Sequence, residues 1–200
     1  MFDTALRRLI DPPLNSAARR LATSGISANM LTLLGAGAGV GAAIAISQQF
    51  FAAGLALILL NRILDGFDGA VARINGPTGL GGYLDTLADF FFYVSVPVAF
   101  GLAHDANLMP ALILVATFTI TAVSFLGYAA IAARQGETDG AHGPKAFIYS
   151  TGLMEGGETI AFFILFCLCP DRFPELAFLF AALCVLTVTQ RMVLAAKSFR

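Results

Sequence analysis

The chain is a series of long apolar segments separated by short polar breaks. Crossing the hydrocarbon core of a bilayer takes about 20 mostly apolar residues, and six segments reach that length. Each is predicted to be helical, because lipid offers the backbone no other hydrogen-bond partner. The sequence therefore predicts an all-α polytopic membrane protein. The six predicted spans cover residues 28–47, 51–73, 80–103, 107–133, 146–169 and 173–196.

Composition agrees with this pattern. Hydrophobic residues make up 58% of the 200 residues and charged residues 12%, whereas soluble domains have about 45–50% and about 25%. The net charge of -1 and the absence of a basic tract give no sign of a nucleic-acid partner. All three cysteines lie in apolar segments, where we interpret them as small buried hydrophobic residues.

Residues 1–27 form a separate N-terminal segment. Within 3–23, Arg-Arg pairs alternate with Leu, Ile and Ala around Pro12-Pro13. This pattern fits one or two short amphipathic helices on the anionic cytoplasmic leaflet, and it fits equally well a tail that only sets orientation. Residues 28–200 are predicted to form the six-helix transmembrane domain.

The positive charges predict the orientation. Lys and Arg are enriched in cytoplasmic loops, and an even number of spans places both termini on the same side. The turn between the second and third spans then lies in the cytoplasm, while the opposite loops carry only Arg172. The cytoplasmic residues are Arg7, Arg8, Arg19, Arg20, Arg73, Arg134, Lys145, Lys197 and Arg200.

Four aspartates interrupt the apolar pattern at one place. Asp65 and Asp68 are three residues apart in the second span, and Asp85 and Asp89 are four apart in the third, so each pair shares one helix face. Because the connecting turn is short, we expect antiparallel neighbouring helices and four converging carboxylates near the cytoplasmic surface. An ionised side chain at the bilayer centre costs roughly 3 kcal/mol on insertion scales, which makes an incidental cluster improbable.

Such a cluster needs a cation. Arg73 carries one positive charge and cannot balance four carboxylates alone. Carboxylate oxygens on two rigid helices suit hard divalent ions such as Mg²⁺, Mn²⁺ or Ca²⁺. Arg73 offers a planar fork for phosphate oxygens. Residues without bulk beside the aspartates would let a ligand approach the backbone; they are Gly69, Ala72 and Gly81. These features suggest chemistry on a phosphate ester or diphosphate.

The segment reads D-x2-D-G-x2-A-R-x7-G-x3-D-x3-D and resembles the signature of the CDP-alcohol phosphotransferase family. Six spans and the sequence ANMLTLLG at the first span are similar to that family as well. The resemblance implies an enzyme that transfers a phosphatidyl-type group from a CDP-linked lipid to a small polar alcohol and releases CMP. It also implies Mg²⁺ or Mn²⁺ as cofactor, a homodimer, and a location in a bacterial cytoplasmic membrane.

The resemblance also implies roles for individual residues. Three aspartates would hold metal on the diphosphate: Asp65, Asp68 and Asp85. Asp89 would act as general base and as an occasional metal ligand. The CDP pocket would be lined by Gly69, Ala72, Arg73 and Gly81. One feature departs from the family: seven residues separate Arg73 from Gly81, where eight or more are usual, which bears on the nucleotide contacts more than on the metal site.

Further polar residues have several interpretations. Arg134 and Lys145 flank the loop before the fifth span and could receive a phosphorylated acceptor or act only as positive-inside residues. Glu155 and Glu158 form a second acidic pair, functional or paired with an arginine. Arg62 could pair with a carboxylate, extend toward the interface or contact lipid phosphate.

Two other functions compete with phosphatidyl transfer. A membrane prenyltransferase binds a metal diphosphate, but it needs a second acidic motif on a distant helix, whereas both acidic pairs here flank one turn. A small cation-coupled transporter could use buried carboxylates, but such proteins often have repeated halves, and residues 101–200 contain no echo of the motif. Release of CMP from a CDP-lipid would indicate phosphatidyl transfer; a transporter would release none, and a prenyltransferase would consume prenyl diphosphate instead.

Overall fold

The computed structural model describes residues 14–134 and 152–199, which are helical apart from short turns and contain no β-strand. The helices are α1 (14–23), α2 (Ala28–Ser47), α3 (Phe51–Asn75), α4 (Gly79–Ala103), α5 (Leu108–Arg134), α6 (Gly156–Leu168) and α7 (Phe173–Ser198). Single 3₁₀ turns, Asp105–Asn107 and Pro170–Arg172, connect α4 to α5 and α6 to α7. The all-helical prediction is confirmed for these residues.

Within residues 14–134 and 152–199, four helices are long and apolar enough to cross a membrane: α2, α4, α5 and α7. They make the chain an integral membrane protein. Helix α3 is also long, at 25 residues or about 37 Å, but it carries the charges of the acidic motif. Helix α6 has 13 residues, about 20 Å, which is shorter than the hydrocarbon core. The six-span arrangement therefore stays a prediction.

The fifth predicted span differs most from the structure. We expected a helix over residues 146–169, but 152–155 are not helical and α6 begins at Gly156; residues 146–151 lie outside the described ranges. The helix begins there because the Glu155 side chain accepts a hydrogen bond from the Glu158 backbone, and the Glu158 carboxylate accepts one from the Glu155 N–H at 3.3 Å. This reciprocal cap satisfies two N–H groups that a helix start leaves free.

Helix α2 lies between α3 and α4 and packs along both. Its small residues make this possible: a Cβ added at Gly39 would lie 3.1 Å from the Phe92 ring of α4 and 3.5 Å from Asn61 of α3. Helices α3 and α4 follow each other across the predicted short turn, but direct packing between them is sparse. Helix α2 fits between α3 and α4 because its residues there are small. It forms hydrogen bonds with two polar side chains of α3, Asn61 and Asp68.

An aromatic core holds the second half of the chain against the first. Its fully buried side chains are Phe92, Phe100, Phe163, Phe166, Phe173 and Phe180. Phe100 stacks on Phe173 with ring centroids 4.7 Å apart. At the same end, Gln49 in the α2–α3 turn donates to the Ala103 carbonyl at 2.8 Å. This end lies opposite the α3–α4 turn, and the core extends from it to Phe92, beside Arg62.

The described part of the N-terminal segment is an amphipathic helix. Ala18 of α1 is fully buried, and Leu14 and Leu21 pack with it against Leu31 of α2 and Val71 of α3. These α1 residues recur at helical spacing and form one face. The apolar face of α1 therefore covers the start of α2 and the last turns of α3, the part of α3 that carries Asp65 and Asp68.

Candidate active site

Three of the four aspartates come together between α3 and α4. One carboxylate oxygen from each of Asp65, Asp68 and Asp85 lies within 4.8 Å of the other two. Asp65 and Asp68 share a face in the last turns of α3, and Asp85 lies in the second turn of α4. Thr78 starts α4 close to the end of α3 by accepting a hydrogen bond from the Gly81 N–H at 3.0 Å. The short connection thus places both acidic pairs at one level.

Asp68 is the most buried of these aspartates, with 4% of its surface exposed. Its Oδ2 accepts a hydrogen bond from the Thr32 hydroxyl of α2 at 2.7 Å. A partner outside the ligand set fixes the orientation of a metal-binding carboxylate. Helix α2 therefore positions one member of the cluster although it contributes no acidic residue.

Asp89 lies outside the group of three and is paired with Arg62. The Arg62 Nη2 donates to Asp89 Oδ1 at 2.9 Å, and Nη1 lies 3.6 Å from Asp65 Oδ2. The arginine thus connects α3 to α4. Of the alternatives open for Arg62 from the sequence, the structure shows the carboxylate pairing.

The small residues of the motif lie on α3 and at the start of α4. Gly69 and Ala72 are half-buried on α3, and Arg73 is exposed, with Nη1 3.5 Å from the place that a Gly69 Cβ would occupy. A Cβ at Gly81 would lie 3.0 Å from Thr78 Oγ1 and 3.1 Å from Asn29 Oδ1. Gly81 therefore allows the start of α4 to approach α2, a packing role besides any contact with substrate.

The remaining candidates are farther from the cluster or outside the described residues. Arg134 is exposed at the end of α5, and Lys145 lies outside the described ranges. Glu155 and Glu158 cap α6, as shown above. Arg191 of α7 donates to the Thr121 carbonyl at 3.1 Å and to Ser124 Oγ at 3.2 Å, which connects α7 to α5. None of these contacts belongs to the aspartate cluster.

The donor set fits a hard divalent cation. Each of the three clustered aspartates offers a carboxylate oxygen, and Mg²⁺ and Mn²⁺ prefer oxygen ligands over nitrogen or sulfur. The cluster is half-buried, so like charges repel more strongly there than in bulk water. Arg62 neutralises only part of this charge. The arrangement can therefore hold a metal ion and, beside it, a carboxylate that is bound to an arginine.

Two polar residues near the cluster are not part of the aspartate motif: Thr32 and Asn61. Asn61 accepts from Arg62 Nε at 2.7 Å and donates to the Gly35 carbonyl at 2.8 Å. A signal for Thr32 exists in the chain, because residues 32 and 68 are almost equally distant from the α2–α3 turn. Positions equally distant from the turn of a helical hairpin lie at one level, so a threonine opposite an aspartate is a candidate partner.

Comparison with known proteins agrees with the geometry. Residues 26–197 match the family described as CDP-alcohol phosphatidyltransferase. The inner membrane protein YnjF of Escherichia coli (strain K12) is 42% identical over 193 residues, covering 96% of this chain and 94% of that protein.

The fold is shared with solved structures of phosphatidylinositol phosphate synthase (PgsA1) of Mycobacterium tuberculosis. The crystal structure with CDP-DAG bound has a TM-score of 0.64 and 23% identity over 90% of this chain and 92% of that chain. The complex with manganese and citrate has a TM-score of 0.65 and 22% identity over 92% and 88%. The family match over residues 26–197 shows that the chain belongs to the CDP-alcohol phosphatidyltransferase family, a family of phosphotransferases. The relative from Escherichia coli and the shared fold agree with this membership.

Proposed function

We propose that this protein transfers a phosphatidyl-type group from a CDP-linked lipid, such as CDP-diacylglycerol, to the hydroxyl of a small polar alcohol, releasing CMP in phospholipid biosynthesis. The carrying observation is the convergence of Asp65, Asp68 and Asp85 on one point, with Asp89 beside them on an arginine. Family membership favours this function over prenyl transfer and cation transport. The related synthase was crystallised with CDP-DAG bound, which supports a CDP-lipid substrate.

The three clustered aspartates are proposed to hold Mg²⁺ or Mn²⁺. Their oxygens are close enough to share one ion, and the related synthase was solved in complex with manganese. When bound, such a metal would neutralise charge on the diphosphate and polarise its phosphoryl oxygens. Asp65 and Asp85 are half-buried, so their carboxylates are accessible to a diphosphate.

Asp89 is proposed as the general base. It takes the proton from the acceptor hydroxyl, whose oxygen then attacks the β-phosphorus of the CDP-lipid. A new bond forms between that oxygen and phosphorus, and the bond to the bridging oxygen breaks, so CMP leaves with the electron pair. Arg73 is proposed to stabilise charge on the departing CMP. The CDP pocket is proposed to be lined by Gly69, Ala72, Arg73 and Gly81.

Residues at the cytoplasmic surface are proposed to receive the acceptor. Arg134 at the end of α5 is exposed, and Lys145 is the other candidate for a phosphorylated acceptor. We further propose residues 1–27 as the N-terminal segment, residues 28–200 as the six-span domain, and a homodimer in the bacterial inner membrane. The relative named an inner membrane protein supports the location; the homodimer is proposed from the family resemblance, since Gly35 and Gly39 are buried within the protomer.

The function is tested by an acceptor screen. Purified protein in detergent receives CDP-diacylglycerol, Mg²⁺ and one alcohol at a time, including glycerol 3-phosphate, inositol phosphate and serine. CMP and the lipid product are measured together. We expect one acceptor to give equal amounts of both products. If no acceptor releases CMP, or if prenyl diphosphate is consumed instead, the proposed function is wrong.

The sidedness of the site is a separate prediction. We expect residues 74–80 and 135–145 in the cytoplasm and 104–106 and 170–172 outside, because Lys and Arg concentrate on the first side. Single cysteines at Asn75 and Asp105, both exposed, are labelled in intact cells with an impermeant thiol reagent after replacement of the three native cysteines. Asp105→Cys should react and Asn75→Cys should not. The opposite result reverses the orientation.

A further inference from the structure

Arg62 lies among the aspartates, and the proposed reaction gives it no role. It comes one turn before Asp65 on α3, and 18% of its side chain is exposed. Its two terminal nitrogens bind different carboxylates: Nη2 lies 2.9 Å from Asp89 Oδ1, and Nη1 lies 3.6 Å from Asp65 Oδ2. Through Asp65 it touches the clustered carboxylates, and it also holds the aspartate outside them. The guanidinium therefore stands between the two parts of the site.

Its orientation is determined by groups away from the reaction. Nε donates to Asn61 Oδ1 at 2.7 Å, and the buried Asn61 amide donates to the Gly35 carbonyl at 2.8 Å. On its other side the guanidinium carbon lies 4.5 Å from the centroid of the Phe92 ring, within the range of a cation–π contact. A planar fork that is hydrogen-bonded at Nε and Nη2 and ion-paired at Nη1 has little rotational freedom. Arg62 thus presents a rigid donor to Asp89.

Asp89 could otherwise be drawn to a metal ion. It lies one turn from Asp85 on the same helix face, yet in the described part of the chain the group able to share an ion contains Asp65, Asp68 and Asp85 without it. A carboxylate bound to a divalent cation gives up lone pairs that a base needs. An arginine at Oδ1 leaves lone pairs on Oδ2 to accept a proton.

We propose that Arg62 is a positioning residue that holds Asp89 apart from the metal-binding aspartates and so reserves it as the base. The inference rests on the proposed phosphatidyl transfer. One arginine then determines which of the four aspartates bind metal and which one acts as the base. Asn61 and Gly35 are the scaffold that fixes the arginine, and they act on Asp89 only through it.

The first test is a kinetic double-mutant cycle with CDP-diacylglycerol and the acceptor found in the screen. Arg62→Met should lower kcat about 10–100-fold, as losses of outer-shell partners do, with a much smaller change in KM for CDP-diacylglycerol. Arg62→Met/Asp89→Asn should be within about threefold of Asp89→Asn alone, because the arginine acts through the residue already removed. Arg62→Lys retains the charge without the fork and should fall between wild type and Arg62→Met.

The second test measures Mn²⁺ binding to the purified protein without lipid, by electron paramagnetic resonance. In the wild-type background Asp89→Asn should change Mn²⁺ affinity by less than about twofold, since Asp89 is held away from the ion. In the Arg62→Met background the same substitution should weaken Mn²⁺ binding at least roughly fivefold, because the released carboxylate has joined the ligands. This readout needs no acceptor.

Arg172→Met is the matched control. Arg172 also pairs with a carboxylate three residues later, Glu175, at 3.5 Å, but both side chains are exposed and lie away from the cluster. The kcat and the Mn²⁺ affinity of this variant should therefore stay at wild-type values.

Equal weakening of Mn²⁺ binding by Asp89→Asn in both backgrounds would overturn the proposal, and so would fully multiplicative losses of kcat. If Arg62→Met fails to give monodisperse protein, Arg62→Lys carries both tests. If the wild type releases no CMP with any acceptor, the proposed function fails, while the Mn²⁺ measurement still decides the role of Arg62.

Discussion

Removal of divalent metal is expected to abolish CMP release, and Mg²⁺ or Mn²⁺ is expected to restore it. Asp65, Asp68 and Asp85 bring three carboxylate oxygens within 4.8 Å of one another. Each negative charge repels the others, and a diphosphate approaching the same point would add to this repulsion. Without a cation the site should therefore not bind the diphosphate of its substrate. The rate of CMP release should then fall to near the background rate.

The measurement uses protein stripped with chelator and then titrated with Mg²⁺, Mn²⁺ or Ca²⁺. Asp65→Asn and Asp68→Asn should each raise the metal concentration needed for activity or abolish turnover, while circular dichroism shows an intact helical fold. Glu175→Gln, at an exposed carboxylate far from the cluster, should titrate like the wild type. Full activity of stripped protein in excess EDTA would contradict the metal site.

The sequence predicted most helix bounds because an apolar segment ends where the helix leaves the hydrocarbon core of the bilayer. The predicted 28–47 and 173–196 became Ala28–Ser47 and Phe173–Ser198. It failed at the fifth span, where the apolar content of residues 152–155 hid a helix start. The cap formed by Glu155 and Glu158 is a local signal that hydropathy does not register. Its spacing of three residues, just before an apolar run, could have been recognised.

The candidate site was predictable in part for a similar reason. Spacing alone places Asp65 with Asp68 and Asp85 with Asp89, and the short turn brings the pairs together. The spacing of the aspartates does not show that α2 lies between α3 and α4, and so it could not reveal that Gly35 anchors Asn61. The contact of Thr32 with Asp68 is indicated only when the distances of both residues from the α2–α3 turn are compared. Those contacts depend on how closely glycines let helices approach, which is a tertiary property.

The difference between Asp85 and Asp89 likewise could not be read from periodicity, since both share one face of α4. In the structure Asp85 joins the three carboxylates near one point, and Asp89 binds Arg62. Their surroundings, and not their residue type, therefore suggest separate roles. Identical substitutions at the two positions should give different kinetic results.

We expect Asp89→Asn to reduce kcat at least roughly a hundredfold with a far smaller change in affinity for CDP-diacylglycerol. Removal of a general base typically lowers the rate about 10²–10⁴-fold, and asparagine keeps the shape of aspartate but cannot accept the hydroxyl proton as the carboxylate does. Asp85→Asn removes a proposed metal ligand, so it should weaken Mg²⁺-dependent lipid binding as well as turnover.

The measurement compares equilibrium binding of CDP-diacylglycerol in Mg²⁺ with kcat at saturating substrate for each variant. Asp105→Asn, an exposed aspartate at the opposite end of α4, serves as the control and should leave both quantities unchanged. If Asp89→Asn loses lipid affinity as severely as Asp85→Asn, then Asp89 is chiefly a metal ligand and another group must take the proton. If Asp89→Asn retains lipid affinity but loses turnover, then Asp85 serves metal and lipid binding and Asp89 serves proton transfer.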